Sequence, residues 1–249
     1  MGCTRTRAFF ALLSAAMLMV GTGCGSSSKT STAPDTAEQR KVDLALAKQA
    51  VLTLSDLPAG YKGTPHKESS GDDIPKKVEQ KFLACTRLPE RFIDDTNDTQ
   101  PNADSPDFTK GSIATGALEI DSSIEIDRSS KDISEPLAYL KNEDVARCFQ
   151  PFFYAALAAG LKNEPGFSIQ SVSVESVSAG SAGDEGAGFR GRMTIVTPVG
   201  PIDVFIDLFF VRTGRAAVTL TGTGFREPVD LDLEHELLAT MVGRLENTT

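Results

Sequence analysis

The stretch that decides the fold is RMTIVTPVGPIDVFIDLFFVRTGRAAVTLTG, residues 192–222. Apolar and polar residues alternate along it, and Val, Ile, Phe and Thr dominate, which is typical of β-strands with a buried face. Short loops that contain glycine separate the alternating segments. The pattern therefore predicts three consecutive antiparallel strands over residues 186–197, 202–212 and 215–221, with a further strand before them over residues 167–177.

The loop at residues 198–201 predicts a hairpin in which Thr197 lies opposite Ile202, so that Arg192 lies opposite Asp207. One face of the second strand is apolar and is expected to face the core. It carries Ile202, Val204, Ile206, Leu208 and Phe210. The opposite face is either a half-solvated surface or the floor of a polar cleft. The candidate residues lining such a cleft are Arg190, Arg192, Asp203 and Asp207.

Apolar residues at helical spacing predict helices before and after this meander. The first covers residues 38–54, and the second begins near Asp73 and Pro75 and reaches Cys85. A helical pattern over residues 132–161 contains Asn142 as a candidate N-cap and Pro151 as a point where the helix should kink or divide. Residues 230–245 form the last predicted helix.

Alternation over residues 113–127 predicts one long strand or two short ones between the second helix and the third. The order is then helices, a strand, helices, an antiparallel meander and a closing helix. This order predicts an α+β fold in which an antiparallel sheet of four to six strands is flanked by helices. We expect a single domain over residues 38–249.

The N-terminus is typical of a bacterial lipoprotein signal. Arg5 and Arg7 precede an apolar run at residues 8–20 that is too short to span a bilayer, and small residues then lead to Cys24. We expect residues 1–23 to be a signal peptide and Cys24 to be the lipid attachment site. Residues 24–37, rich in Ser, Thr and Pro, are expected to form a flexible tether.

Two other readings of this N-terminus are open. The signal could be an ordinary secretory one or an uncleaved anchor, and the start MGCTRT also fits an N-myristoylation pattern with Cys3 available for palmitoylation. The apolar export segment favours the lipoprotein. Two acyl chains on one cysteine would hold the domain on the cell membrane, at its extracytoplasmic face.

Cys85 and Cys148 are the two cysteines that remain once Cys3 and Cys24 are assigned to the signal and the lipid site. In an exported protein such a pair most often forms a disulfide. A reactive thiol or a metal ligand is the alternative, but the sequence offers no partners for either role.

The charge and the motifs exclude several classes of function. The chain carries a formal charge of −9, and removal of a signal with two arginines and no acid would change it to −11, which argues against binding to nucleic acid. HELLA at residues 235–239 lacks the second histidine of a zinc-protease motif, and neither a nucleophile elbow nor a phosphate-binding loop occurs. The acidic segment at residues 94–107 fits a solvated loop better than a calcium loop. We therefore predict no catalytic residue, no metal site and no cofactor.

Several stretches resemble known exported proteins. They are LTLSDLPAGY at residues 52–61, the two spaced cysteines, VFIDLFFVRTGRAAVTLTGTG at residues 204–224 and ELLATMVGRL at residues 236–245. With the signal, they are similar to actinobacterial lipoproteins of the LpqN type and to the PknH-like extracellular sensor domains of membrane kinases. The resemblance implies an antiparallel sheet flanked by helices, like the Mog1/PsbP architecture, with a cleft that binds a ligand. Those sensor domains carry two disulfides, whereas this chain can form one.

These observations together predict a cell-envelope lipoprotein that is not an enzyme. Its domain is expected to bind a small molecule, an envelope lipid or glycan, or another envelope protein. Two alternatives stay open: a structural or interaction lipoprotein without a ligand cleft, and an unrecognised hydrolase whose Ser, His and carboxylate groups meet only in the folded chain.

Overall fold

A computed structural model describes residues 36–66, 76–89, 100–113, 115–142, 144–161 and 165–247. The predicted signal peptide, Cys24, most of the tether, Asp73 and Pro75 lie outside the described residues. In the described part of the chain, no helix is both long enough and apolar enough to cross a membrane.

The described residues contain eight strands: β1 (Lys62–Thr64), β2 (Asn102–Asp104), β3 (Asp107–Ser112), β4 (Gly116–Ile126), β5 (Ser168–Val177), β6 (Glu185–Thr197), β7 (Gly200–Thr213) and β8 (Ala216–Phe225). They form one antiparallel sheet in the order β1-β3-β4-β8-β7-β6-β5, and β2 pairs with β4 beside β3. The predicted α+β class is confirmed. The sheet exceeds the expected four to six strands because β1, β2 and β3 are short and largely polar, and so lack an alternating pattern.

In the part of the chain that the structure describes, five α-helices accompany the sheet: α1 (Ala37–Ala50), α2 (Lys76–Thr86), α3 (Ser130–Leu140), α4 (Val145–Leu161) and α5 (Leu231–Glu246). Helix α5 matches its prediction, and Asp230 caps it by accepting a hydrogen bond from the Asp232 amide at 2.9 Å. Helix α1 ends four residues earlier than predicted. A short 3₁₀ turn at Leu54–Asp56 follows it, because the Asp56 carboxylate accepts a hydrogen bond from the Thr53 amide.

Helices cover both faces of the sheet, so the domain has two apolar cores. On the α5 face, helices α1 and α5 pack over β4, β7 and β8, with Ile120, Phe209 and Leu237 among the buried residues. On the α4 face, helices α2, α3 and α4 bury Phe189 and Leu208 of the sheet. Because side chains alternate along a strand, each central strand contributes to both cores.

The β6–β7 hairpin has a different register from the predicted one. Thr197 lies opposite Gly200, not Ile202, so that Arg190, not Arg192, lies opposite Asp207. The turn contains only two residues, and Gly200 joins the strand with φ +119°, a conformation that suits glycine. The prediction counted Gly200 and Pro201 as loop. Since the shift is two residues, each residue of β7 keeps its predicted face, but the face predicted as a half-solvated surface or a polar cleft is covered by α5, and Phe209 on it is buried.

Two predictions about loops and breaks are also corrected. The helical pattern at residues 132–161 divides near Asn142, whose side chain accepts a hydrogen bond from the Asp144 amide at 3.0 Å, whereas α4 continues through Pro151. Residues 94–107 are predicted as a loop, but residues 100–107, the described part of this segment, contain β2 and the first residue of β3, Asp107.

The predicted disulfide between Cys85 and Cys148 is present and links α2 to α4. Phe82, three residues before Cys85, packs against Phe149 and Phe152, with ring centroids 4.9 Å and 5.1 Å apart. The bridge therefore fastens α2 to the apolar layer on the α4 face.

Candidate functional site

The four residues proposed from the sequence as a cleft floor lie on the α5 face of β6 and β7, where they form two ion pairs. The guanidinium of Arg190 donates to both carboxylate oxygens of Asp207, at 2.5 Å and 2.6 Å. Asp207 is fully buried, while the Arg190 side chain is 15% exposed. Whether these residues line a ligand cleft stays a prediction.

The N-terminal end of α5 covers the buried pair. Arg190 donates a further hydrogen bond to the backbone carbonyl of Val229 at 2.9 Å, and its guanidinium lies 3.7 Å from the carboxylate of Glu234. We call Arg190, Asp207 and Glu234 the arginine cluster. It ties the first turn of α5 to the centre of the sheet.

Glu234, like Asp207, has no exposed surface. Neither carboxyl oxygen has a hydrogen-bond partner of good geometry among the described residues. Burial, and next the charge of Asp207, raise the pKa of Glu234 to about 9, and Arg190 opposes the shift. Glu234 therefore holds the proton of the acid pair at neutral pH, and Asp207 keeps the charge that Arg190 neutralises.

The second pair, Arg192 with Asp203, is exposed. The Arg192 guanidinium donates to Asp203 at 2.7 Å, and Thr194 donates to the other oxygen of the same carboxylate at 2.7 Å. The Arg192 side chain is 59% exposed and lies 5.6 Å from the centre of the Phe205 ring. The structure thus brings the predicted residues together as one buried pair and one solvent-facing pair.

A second group of acids lies on the α4 face, at the end of the sheet formed by β1 to β4. In GALEIDSSIEI, the sequence of β4, the even-numbered residues Leu118, Ile120 and Ile124 enter the core of the α5 face. The alternating residues Glu119 and Asp121 therefore point to the other face. Asp104 on β2 and Asp107 on β3 share that face. We call Asp104, Asp107, Glu119 and Asp121, together with His66, the acid cluster.

His66, just after β1, supplies the basic member of the acid cluster. Its Nδ1 lies 2.6 Å from a carboxylate oxygen of Asp107. Burial alone would lower the pKa of His66, but the hydrogen bond to Asp107 and the charges of Asp107, Asp121 and Asp104 outweigh burial and raise it. His66 therefore carries more positive charge near neutral pH than a free histidine does.

The two acids of β4 have strongly raised pKa values. Burial, followed by the charges of Asp121 and Asp107, raises the pKa of Glu119 to about 8. Burial and the charge of Asp107 raise the pKa of Asp121 to about 7, while His66 and the hydroxyl of Thr221 oppose the shift. Thr221 lies directly opposite Asp121 on β8. Both acids thus change protonation in the physiological range.

Two polar atoms of the acid cluster are buried without a partner. Oxygen Oε2 of Glu119, a residue only 5% exposed, accepts no hydrogen bond within the described part of the chain, and the same holds for Nε2 of His66. Buried polar groups in folded proteins are nearly always satisfied. These two atoms are therefore free to contact something that enters the cluster.

The sequence contained a signal for part of this site that was not used. Alternation in β4 predicts that Glu119 and Asp121 share the face opposite the apolar residues, but this pattern was used only to predict a strand. Nothing in the sequence indicates that His66 and Asp107, more than 40 residues apart, meet beside them.

The described residues contain no group of three or more His, Cys, Asp or Glu side chains that could hold a metal ion.

Comparison with known proteins adds little to this picture. The chain matches no known protein-family model, and no curated protein is significantly similar to it. A crystal structure of LpqN, a protein involved in cell envelope biogenesis of Mycobacterium tuberculosis, aligns with 75% of this chain and 76% of its own chain. The sequence identity is 9% and the TM-score is 0.30.

Proposed function

We propose that this chain is a lipid-anchored protein of the cell envelope whose domain binds a ligand and does not catalyse a reaction. The observation that supports binding is the buried carboxyl oxygen of Glu119 that has no hydrogen-bond partner. A buried carboxyl oxygen without a hydrogen-bond partner costs about 1–3 kcal/mol of folding free energy. No described contact explains that cost structurally, and ionisable groups with strongly shifted pKa values concentrate at functional sites.

The extracytoplasmic location is supported by two features. The sequence up to Cys24 is typical of a lipoprotein signal. The Cys85–Cys148 disulfide is of a kind that forms and persists outside the reducing cytosol. Both features fit a domain that is exported, oxidised and held at the membrane surface by its N-terminus.

The anchor is tested by intact-mass measurement of the membrane-extracted protein without reduction. We expect a chain that begins at Cys24, carries a diacylglyceryl group and lacks two protons because of the disulfide. Cys24→Ala should abolish the modification. Cys3→Ala is the matched control and should leave the mature mass unchanged, because Cys3 lies in the removed signal. A modified residue at Gly2 or Cys3 would instead establish the myristoylated alternative.

Binding is tested by denaturing the protein purified from its native envelope and analysing the released small molecules by mass spectrometry. A compound released by the wild type and absent from the Glu119→Gln/Asp121→Asn variant is the expected result. The Arg192→Ala variant serves as a control and should release the same compound. If wild type and variant release the same compounds, or none, the domain is a structural or interaction module.

A second candidate function, hydrolysis, is favoured by one observation. His66 is hydrogen-bonded to Asp107 through Nδ1 and keeps Nε2 unpartnered, which is the arrangement of an oriented general base, and Glu119 holds a proton near neutral pH as a general acid does. A panel of chromogenic ester and glycoside substrates tests this candidate. Hydrolysis by the wild type, lost in His66→Ala, would establish an enzyme.

A further inference from the structure

The geometry points to the acid cluster as a binding site for an organic cation, specifically a group that bears a protonated amine. This inference rests on the proposed binding function and names the class of ligand. The cluster brings four carboxyl groups to one face of the sheet around a single histidine. Within the described part of the chain, Glu119 at the buried end of the cluster forms no ion pair, and a positively charged group would complete it.

The charges of the cluster favour a cation over a neutral or anionic ligand. His66 lies 2.6 Å from Asp107, so its positive charge is offset by that carboxylate and is not available to Glu119. Glu119 has no ion-pair partner among the described residues. Lys62 of β1 pairs with Thr109 of β3, which in turn pairs with Glu119 of β4. The Lys62 side chain is exposed, however, and forms no ion pair with a described residue.

The side chains of the acid cluster are graded in exposure, from the exposed Asp104 to the buried Glu119. Asp104 is exposed, Asp107 and His66 have side chains that are 19% and 14% exposed, and Glu119 is 5% exposed. A ligand that enters past Asp104 would therefore meet the unpartnered oxygen of Glu119 at the buried end. Attraction between a cation and a carboxylate is strongest there, where little water screens it.

The hydrogen-bonding groups around Glu119 fit an ammonium group. A primary ammonium has three N–H donors and no acceptor. Glu119 offers a free acceptor oxygen, and its cross-strand neighbours Thr109 and Thr223 offer hydroxyl oxygens. Beyond Glu119, the next residue of β4 on this face is Ala117, which belongs to the apolar core. An amine joined to a short carbon skeleton therefore matches the polar end of the site and its apolar boundary.

The test uses two pairs of probes that share a skeleton and differ in charge: 1,4-diaminobutane with 1,4-butanediol, and glucosamine with N-acetylglucosamine. Each is titrated into the full mature domain up to about 10 mM, a range suited to weak small ligands, while the backbone amides are followed by NMR. We expect saturable shifts of amides in β4 and β8 with the two amines. The diol and the N-acetyl sugar should leave those amides unchanged.

Three variants and a pH series locate the binding. Glu119→Gln preserves the shape of the side chain and should weaken amine binding at least tenfold, and Asp121→Asn should weaken it as well. Arg192→Ala, in the exposed pair on the other face, should leave the affinity unchanged. Affinity should rise up to tenfold per pH unit between about pH 6 and pH 8, because the amine must displace the proton of Glu119.

Several outcomes would overturn the inference. Equal shifts with the charged and the neutral probe would show that charge does not select the ligand. The inference is also overturned if no probe shifts the amides, or if Glu119→Gln binds the amines as well as the wild type does. It is overturned too if Ca²⁺ or Mg²⁺ alone binds more tightly than the amines. A neutral compound released from the envelope-purified protein would overturn the cation and keep the proposed binding function, so the two failures are distinguishable.

Discussion

The arginine cluster and the acid cluster occupy opposite faces of the same sheet, and they differ in whether an arginine lies beside the buried acids. Both place carboxyl groups in the interior beside β8, where Gly222 lies under Glu234 and Thr221 lies beside Asp121. In the arginine cluster a guanidinium meets the charged carboxylate with two short hydrogen bonds. Glu234 lacks hydrogen bonds as Glu119 does, but Glu234 lies 3.7 Å from Arg190, whereas Glu119 forms no ion pair among the described residues.

The two clusters show that burial of a charge does not by itself indicate a function. A buried acid with its own cation holds elements together, because the chain supplies both halves of the pair. A buried acid without a cation is a destabilising feature unless something outside the chain completes it. On this reasoning the arginine cluster fastens α5 to the sheet, and the acid cluster is the candidate binding site.

The largest expected effect comes from removing the cation of the arginine cluster. Arg190→Met should lower the free energy of unfolding by about 3–5 kcal/mol, because it leaves Asp207 and Glu234 buried without a positive charge. Urea unfolding at neutral pH measures the change. Arg190→Lys keeps the positive charge but loses the bidentate hydrogen bonds to Asp207, so its free energy of unfolding should lie between those of the wild type and Arg190→Met. A loss below about 1 kcal/mol would contradict a fastening role for the cluster.

The second prediction concerns the floor under Glu234. A side-chain carbon at residue 222 would overlap a carboxyl oxygen of the buried Glu234, so Gly222→Ala should destabilise the domain by about 1–3 kcal/mol. Gly191→Ala is the matched control, because the nearest atom to its added carbon is 3.7 Å away. Equal losses in the two variants would show that the contact with Glu234 does not matter. Thermal and urea unfolding both report the difference.

The acid cluster should make stability depend on pH in the opposite sense from an ion-paired carboxylate. The pKa of Glu119 is about 8 in the folded domain and 4.5 as its ordinary value, so the folded state keeps a proton that the unfolded state releases. Stability contributed by this proton is present below pH 4.5 and is lost as pH rises toward 8. Glu119→Gln should reduce the slope in this window by up to about 1.4 kcal/mol per pH unit.

Urea unfolding at a series of pH values from about 5 to 8 measures that slope. Part of the slope should remain in Glu119→Gln, because Asp121 and Glu234 also have raised pKa values. Glu236→Gln, at an exposed residue of α5, is the matched control and should keep the wild-type slope. A slope that is identical in Glu119→Gln and the wild type would mean that Glu119 stays ionised throughout.

The smallest expected effect lies at the exposed pair. Arg192→Ala should lower the free energy of unfolding by only about 0.2–1 kcal/mol, because the side chain is 59% exposed and water screens its attraction to Asp203. Added salt should reduce even this difference. A loss as large as that of Arg190→Met would contradict the distinction drawn between the two pairs of the predicted cleft floor.

Part of the candidate sites could be predicted from the sequence. The faces of β7 and the chemical character of Arg190 and Asp207 followed from alternation, and the Cys85–Cys148 disulfide followed from export and a count of cysteines. The partner of Asp207 was assigned two residues away, because the length of a turn decides register and residues 198–201 allow more than one turn. The role of Glu234 was missed, because in the sequence it is an ordinary acid in the first turn of a helix.

The sequence by itself determined where the long strands and most of the helices lie, which residues of each long strand share a face, and that two cysteines remain to pair. These properties are local: they depend on spacing within one element and on residue chemistry. Only the tertiary structure decided that β1 to β3 extend the sheet, that His66 meets Asp107 beside Glu119, and that Arg190 reaches Glu234 of α5. Those contacts join residues distant in sequence, and the cost of burying each charge depends on neighbours that only the folded chain supplies.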